Sequence, residues 1–411
     1  MVDYNLFTLP NGIRVVHKEV SNTKIVHCGF ILDIGSRDER EEQLGIAHFW
    51  EHMAFKGTNK RKAFHILNKL DSVGGELNAY TTKEKICFYA SALDKHMESA
   101  FELLQDITFD SIFPEKQIEK ERGVILEEMA LYHDSPEDAI QDEFDRVVFK
   151  DHPLGKNILG TQSSVRSFHR QDFKDFLKAN LNTEKVVFAC VGNVPLKKIK
   201  RLADKYFKPI PHYKAEKRRI TFENYIPCSE INHRNITQAH CAIGTTAYEL
   251  SHANRLPFFM LMNILGGPGM NSRLNLALRE KYGFVYNVEA SYHPFSDTGL
   301  FSIFFGTEPG QVERSRKLVL KELKRLREQP LGSLQLHMAK EQMIGQLAMA
   351  EENNTSLMLM MGKSILDLEK IDGLDVIFER IRKITSSQLQ DIANERLLES
   401  QLSHLTFLPE N

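Results

Sequence analysis

Residues 45 to 55 read GIAHFWEHMAF, as apolar as a core helix except for His48, Glu51 and His52. At about 100° per residue on an α-helix, with His48 at 0°, Glu51 falls near 300° and His52 near 40°. Phe49, Trp50 and Met53 fall opposite, at roughly 100°, 200° and 140°. One face is built for burial, and the other holds every polar side chain in the run. Each such group left unsatisfied in a core costs about 1–3 kcal/mol. A fold that buries this helix must bring partners to that face from elsewhere in the chain.

Ordinary hydrogen-bond partners, or solvent, would meet that demand for a single histidine. The spacing points further. Histidines at i and i+4 aim two imidazoles at one divalent ion, and the glutamate at i+3 stands beside them. This H-x-x-E-H order is that of the inverted zinc-peptidase helix. A catalytic zinc usually takes three protein ligands and keeps one open position, so a third donor is required. Spacing alone does not choose it. The stretch EKERGVILEEMALYH, after Pro114, offers Glu121 and Glu128 two turns apart on one face. Glu127 points about 120° away from Glu121. The same pattern would also suit a solvated, charged helix face.

A chain of 411 residues exceeds one ordinary core, which implies two or three domains. The first half alternates in a mixed α+β order. A hairpin is expected across Asn11-Gly12, then a buried strand in KIVHCGFILDIGS, the motif helix, and a helix over Lys62 to Val73. A strand pair follows in ELNAYTTKEKICFYASAL, then helices after Asp94, Pro114 and Ser135, and a strand in KVVFACVGNV. KPIPHYKAEK, residues 208–217, has two prolines, three lysines and no apolar period. It divides the chain into domains 1–210 and 218–411. The second half repeats the order: strand 239–246, helices 252–266 and 272–282, strands 285–292 and 299–305, then long helices. Laying HCGFILDIGS from His27 on HCAIGTTAYE from His240 needs an offset of 213 and no gap. His48, Glu51 and His52 then fall on Leu261, Ile264 and Leu265, so the polar trio is an addition to a core helix rather than a fold requirement.

Acidic and basic residues leave a formal charge of −2, which argues against a nucleic-acid partner. No run approaches the ~18 apolar residues of a membrane span. The N-terminus has no signal-peptide pattern and the five scattered cysteines form no CxxC pair, so a cytoplasmic location is the expectation.

HFWEHMAFKGT, GGELNAYTTKEKICFYA and EKERGVILEEM, with SRLNLALREKYGFVYNVEA in the second half, resemble the pitrilysin family of zinc peptidases. The likeness is to the branch of the mitochondrial processing peptidase β-subunit and its bacterial relatives. The resemblance implies a zinc-dependent endopeptidase with one Zn2+ per chain, held by His48, His52 and Glu128. It implies that Glu121 orients a ligating histidine and that Glu51 is the general base. Arg279 and Tyr286 would bind substrate and stabilise the oxyanion. Asn78 and Ala79 would lie beside the scissile bond on a strand that holds the peptide backbone by strand addition. LGGPGMNSRL departs from the glycine-rich loop of the processing peptidase α-subunit, so no presequence-sensing role follows; the glycines read as a helix terminator.

The family's longer members fuse four related domains into a clamshell. This chain would be half of one: two homologous domains of mixed β-sheet packed with helices. The expected assembly is a homodimer enclosing a chamber for short or unfolded peptides, with Arg279 and Tyr286 serving the partner's zinc site. Two alternatives stand beside it. One is a non-catalytic scaffold subunit of the same fold. The other is a peptidase active only as a heterodimer with an inactive homologue.

Overall fold

The computed structural model describes residues 4–216 and 219–410. Lys217 and Arg218, where the expected linker ends and the second domain begins, lie outside the described residues.

The first sheet contains β1 (Asn5–Thr8), β2 (Arg14–Glu19), β3 (Ile25–Leu32), β4 (Glu76–Thr81), β5 (Ile86–Leu93) and β6 (Val186–Gly192), in the order β1-β2-β6-β3-β5-β4. The second contains β7 (Ser229–Arg234), β8 (Ala239–Ala247), β9 (Val285–Pro294), β10 (Gly299–Thr307) and β11 (Ser403–Pro409), in the order β7-β11-β8-β10-β9. Both are mixed: β2 runs parallel to β6, β7 runs parallel to β11, and the other pairs are antiparallel. Two sheets packed with helices give the α+β, two-domain fold expected from the sequence.

The repeat seen at His27 extends through the structure. Shifted by 213, β3 falls on β8, β4 on β9 and β5 on β10, and helix Ile46–Ala54 overlaps helix Arg255–Gly266. Each sheet therefore ends on corresponding strands, β4 and β9. In the second helix Leu261 and Leu265 are buried where the first carries His48 and His52.

The chain divides into two compact units. The first comprises Met1–Met129, Lys156–Arg219 and Met349–Gly373; the second comprises Ala130–Gly155, Ile220–Ala348 and Leu374–Asn411. The division expected at 1–210 and 218–411 is continuous in sequence; these units are not. The reason lies in the sheets. All seven residues of β6 are buried, which requires a layer on both faces. One face of the first sheet carries the large core around Phe30, Phe88, Phe101 and Phe188, with Phe49 and Trp50 of the motif helix. The other face is covered by helix Asn354–Leu368, whose Met358, Met361 and Ile365 meet Val16, Ile31, Val187 and Ala189. In the second unit helix Pro136–Val148 does the same, with Ile140, Phe144 and Val147 against Ala242, Leu300 and Phe407. Each sheet's second layer thus comes from the other half of the sequence.

The segment expected as a helix over 272–282 is wound more widely. Asn275–Glu280 is π-helical, and the Lys281 amide bonds the Leu276 carbonyl five residues back. The Gly266–Gly269 cluster terminates helix Arg255–Gly266, as expected. Among the described residues no helix is long and apolar enough to cross a membrane.

Candidate metal centre

The motif helix Ile46–Ala54 is positioned at its N-terminus by a carboxylate. Glu39 accepts the Gly45 amide on Oε2 and the Ala47 amide on Oε1, each at 2.8 Å. An acid at this helix end also meets the favourable end of the helix dipole. Burial pushes the Glu39 carboxyl well up, opposed by those two amides. Gly45 itself is left-handed, with φ 92°, and an added Cβ would lie 2.4 Å from the Leu159 carbonyl oxygen. Only glycine fits there. Phe49, Trp50 and Met53 are fully buried, which fixes the helix's rotation and turns the polar trio the other way.

Onto that face comes the helix Glu115–Asp134, anchored by buried Ile118 and Ile125. The same phase buries Glu121 and half-buries Glu128, while Glu127 is exposed. His48 Nε2 lies 3.7 Å from Glu128 Oε1, and His52 Nε2 lies 3.5 Å from Glu128 Oε2. One donor atom from each of the three residues falls within 4.8 Å of the other two. Among the described residues this is the one group of three or more such side chains that could hold a metal ion. The 3.5 Å separation is that of a long hydrogen bond, and the 3.7 Å separation lies beyond one. They approach the donor–donor edge of a zinc tetrahedron, about 3.4 Å for bonds near 2.0–2.1 Å.

His52 Nδ1 meets Glu121 Oε2 at 3.2 Å. A proton on Nδ1, donated to Glu121, leaves the Nε2 lone pair for a metal. The other Glu121 oxygen, Oε1, is held by Lys56 Nζ at 2.8 Å. The site's charge also suits a cation. Burial works against a charge on His52, but hydrogen bonds to Glu121 and Glu128, with the charges of Glu128 and Glu51, carry it up to about 9. What stabilises a proton there would stabilise a divalent ion in its place. His48, more deeply buried and beside His52, is pulled down to about 4 and stays neutral, as a metal ligand must. His52 hydrogen bonding holds Glu128 below the usual carboxylate range against the effect of burial. Two imidazoles, a carboxylate and surrounding acids are a donor set that fits zinc.

Glu51 points to the side of this cluster. The Thr81 hydroxyl donates to its Oε2 at 2.6 Å. Burial pushes the Glu51 carboxyl up, with that hydroxyl and His52 opposing. A carboxyl group raised in this way takes up a proton more readily than an exposed one, as a general base must.

Asn78 and Ala79 lie on β4, the open edge of the first sheet. Asn78 is exposed and Ala79 packs toward the core. Arg279 and Tyr286 belong to the other compact unit. Arg279 lies in the π-helical segment and Tyr286 on β9, with the guanidinium 5.4 Å from the tyrosine ring. Tyr286 is 83% exposed. The structure thus brings together His48, His52, Glu121, Glu128 and Glu51 in one unit, and Arg279 with Tyr286 in the other. Sequence reasoning missed Thr81, Lys56 and Glu39. Lys56 had a signal, being four residues past His52. Thr81 ends the ELNAYT stretch already marked by its strand pattern. Nothing local marked Glu39.

Comparison with known proteins matches residues 14–162 to the family model described as Insulinase (Peptidase family M16). Residues 167–343 match the model described as Peptidase M16 inactive domain. A Bacillus subtilis protein named an uncharacterized zinc protease is 32% identical over 395 residues, covering 96% of this chain and 95% of that protein. A Rickettsia bellii protein of the same description is 32% identical over 409 residues, covering 100% and 98%. Among solved structures, a protease from Helicobacter pylori superposes with a TM-score of 0.92 at 21% identity, covering 99% of each chain. A Pseudomonas fluorescens structure described as a peptidase M16 inactive domain superposes with a TM-score of 0.92 at 17% identity, covering 100% of this chain and 99% of that one. At such identities the structural likeness speaks for the fold.

Proposed function

The chain belongs to the insulinase family, peptidase family M16, and on that premise we propose that it is a zinc-dependent endopeptidase acting on short or unfolded peptides. The observation that carries the reading is the convergence of His48, His52 and Glu128 donors from two helices, with an orienting acid on His52 and a further carboxylate beside them. A purely structural helix has no use for that face.

In this reading His48, His52 and Glu128 hold one zinc ion. Zinc held there supplies Lewis acidity, polarising the scissile carbonyl and making water more acidic. Glu121 keeps His52 in the tautomer that presents Nε2. Glu51 takes a proton from the attacking water and returns it to the leaving amine. The open edge of β4, with Asn78 and Ala79, binds the peptide main chain as an added strand, so side-chain preference is loose. Arg279 and Tyr286 bind substrate and stabilise the oxyanion. They act in a homodimer, each copy's pair serving the metal site of the other, around a chamber that admits extended chains. An exposed tyrosine with an arginine at its ring is a surface suited to such use. A reducing, cytoplasmic setting fits a chain with five free cysteines, four of them buried.

The decisive experiment measures metal content and cleavage of an unstructured peptide together. One equivalent of zinc per chain and chelator-sensitive cleavage are expected. Glu51→Gln keeps the zinc and lowers kcat by about 10²- to 10⁴-fold. His52→Ala loses the metal. A Glu51→Gln protein that cleaves at the native rate would remove Glu51 from its role.

A further inference from the structure

We infer that Thr81 is a positioning residue that decides which oxygen of Glu51 handles the proton and ties that choice to the strand on which the peptide lies. The inference deepens the proposed function and rests on Glu51 being the general base.

The Thr81 hydroxyl lies 2.6 Å from Glu51 Oε2. An ionised carboxylate only accepts, so the hydroxyl must donate. The distance is that of a charge-assisted O–H···O⁻ bond, about twice as strong as a neutral one. A glutamate on a helix has three rotatable bonds, and the motif helix fixes none of them at the carboxylate. Thr81 does so. With Oε2 held, Oε1 is the oxygen left for the water. As the water oxygen forms its bond to the carbonyl carbon, the C=O π pair moves onto the carbonyl oxygen, the water's O–H bond breaks and the proton passes to Oε1. As that pair re-forms C=O and the C–N bond breaks, the same proton moves from Oε1 to the amine nitrogen.

Thr81 can hold this position because its own backbone is held. It pairs with Ile86 at the end of the β4–β5 ladder. The turn that follows is closed by the Thr82 amide on the Lys85 carbonyl at 2.8 Å and by the Lys85 amide on Thr82 Oγ1 at 3.0 Å. Residues 79 and 81 share one side of the strand. On that side Ala79 packs into the core that contains the motif helix, and Thr81 reaches Glu51. Among the described residues no strand lies beside the other edge of β4. A peptide that adds to that edge takes its register from the same six residues that aim the base. Substrate alignment and base alignment are therefore set by one rigid element, joined through one hydroxyl.

Thr81→Val removes the hydroxyl at nearly constant volume, and Thr81→Ser keeps it. Each is measured as the zinc-loaded full chain on an unstructured peptide, with zinc affinity by chelator competition and the thermal midpoint alongside. Thr81→Val is expected to keep zinc affinity, midpoint and KM and to lose roughly 10- to 100-fold in kcat, the scale of a misplaced catalytic group. Thr81→Ser restores kcat to within a few-fold, by the same reasoning. In a Glu51→Gln background Thr81→Val costs nothing more. The inference is overturned if Thr81→Val keeps native kcat while Glu51→Gln is inactive. It is equally overturned if the loss recurs with Gln at position 51, or if zinc affinity and midpoint fall and serine does not restore them. An active Glu51→Gln protein overturns this inference together with the reading beneath it.

Discussion

Lys56 lies one turn past the second motif histidine and is not one of the candidate site's three donors. It holds Glu121 Oε1 at 2.8 Å while Glu121 Oε2 meets His52 at 3.2 Å, so the ring's orientation depends on an ammonium two contacts away. Removing such outer partners typically costs 10- to 100-fold in metal affinity. Lys56→Met, which keeps the packed stem, should therefore bind zinc about 10-fold more weakly at the low end of that range, measured by competition with a chromogenic chelator. An unchanged affinity would show that Glu121 holds the ring unaided. At this scale the sequence was legible where chemistry and spacing coincide. His48, Glu51 and His52 declare themselves because three polar groups interrupt an apolar helix. Glu121 and Glu128 share a helix face, and the structure turns that face inward while Glu127 stays exposed. Spacing placed Lys56 near His52 and pattern placed Thr81 on a strand, but their partners were not legible, because which hydroxyl or ammonium reaches a carboxylate depends on how strand and helices dock.

Helix Asn354–Leu368 marks the limit of element-level reading. The sequence marks β6 only as a strand; its burial on both faces, and a cover more than 150 residues downstream, emerge from the structure. Gly362 is the signature in hindsight. A Cβ there would come 2.3 Å from Ile31 Cδ1 and 3.2 Å from Ala189 Cβ, on the fully buried face of the sheet. Glycine within a helix normally costs about 1 kcal/mol relative to alanine, so close approach is the reason for this one. Gly362→Val should destabilise the protein by about 1–3 kcal/mol through overpacking, read as a lowered urea midpoint. Gly345, in helix Ser333–Glu351, has nothing within 4 Å of the added atom. Gly345→Ala should add up to about 1 kcal/mol of stability, read as a raised urea midpoint. If both substitutions moved stability the same way, packing against Ile31 would not be what constrains residue 362.

For the molecule as a whole, the repeat was visible in one short alignment, and its full course emerged only when the strands and helices of the two halves fell into register. The metal-free copy of the motif helix shows how little the fold itself asks of those positions. The proposed dimer places the duties of one active centre on two copies, which has a direct consequence for mixtures. Glu51→Gln chains and Tyr286→Phe chains, each nearly inactive alone, should regain up to about a quarter of native activity when unfolded together and refolded at equal ratio, by random pairing of chains. No recovery would mean that each copy relies on its own tyrosine. The exchanged covering helices carry another consequence, for synthesis. A nascent chain that has emerged through Arg219 still lacks the segment Met349–Gly373. At translation rates of about 5–20 residues per second, the half that carries the candidate metal site waits roughly 10–30 seconds with one side of its sheet bare. Until the ribosome has delivered Gly373, that apolar surface stays open to any chaperone it meets, and a message truncated before that point yields a sheet with one face uncovered, however complete the candidate metal site.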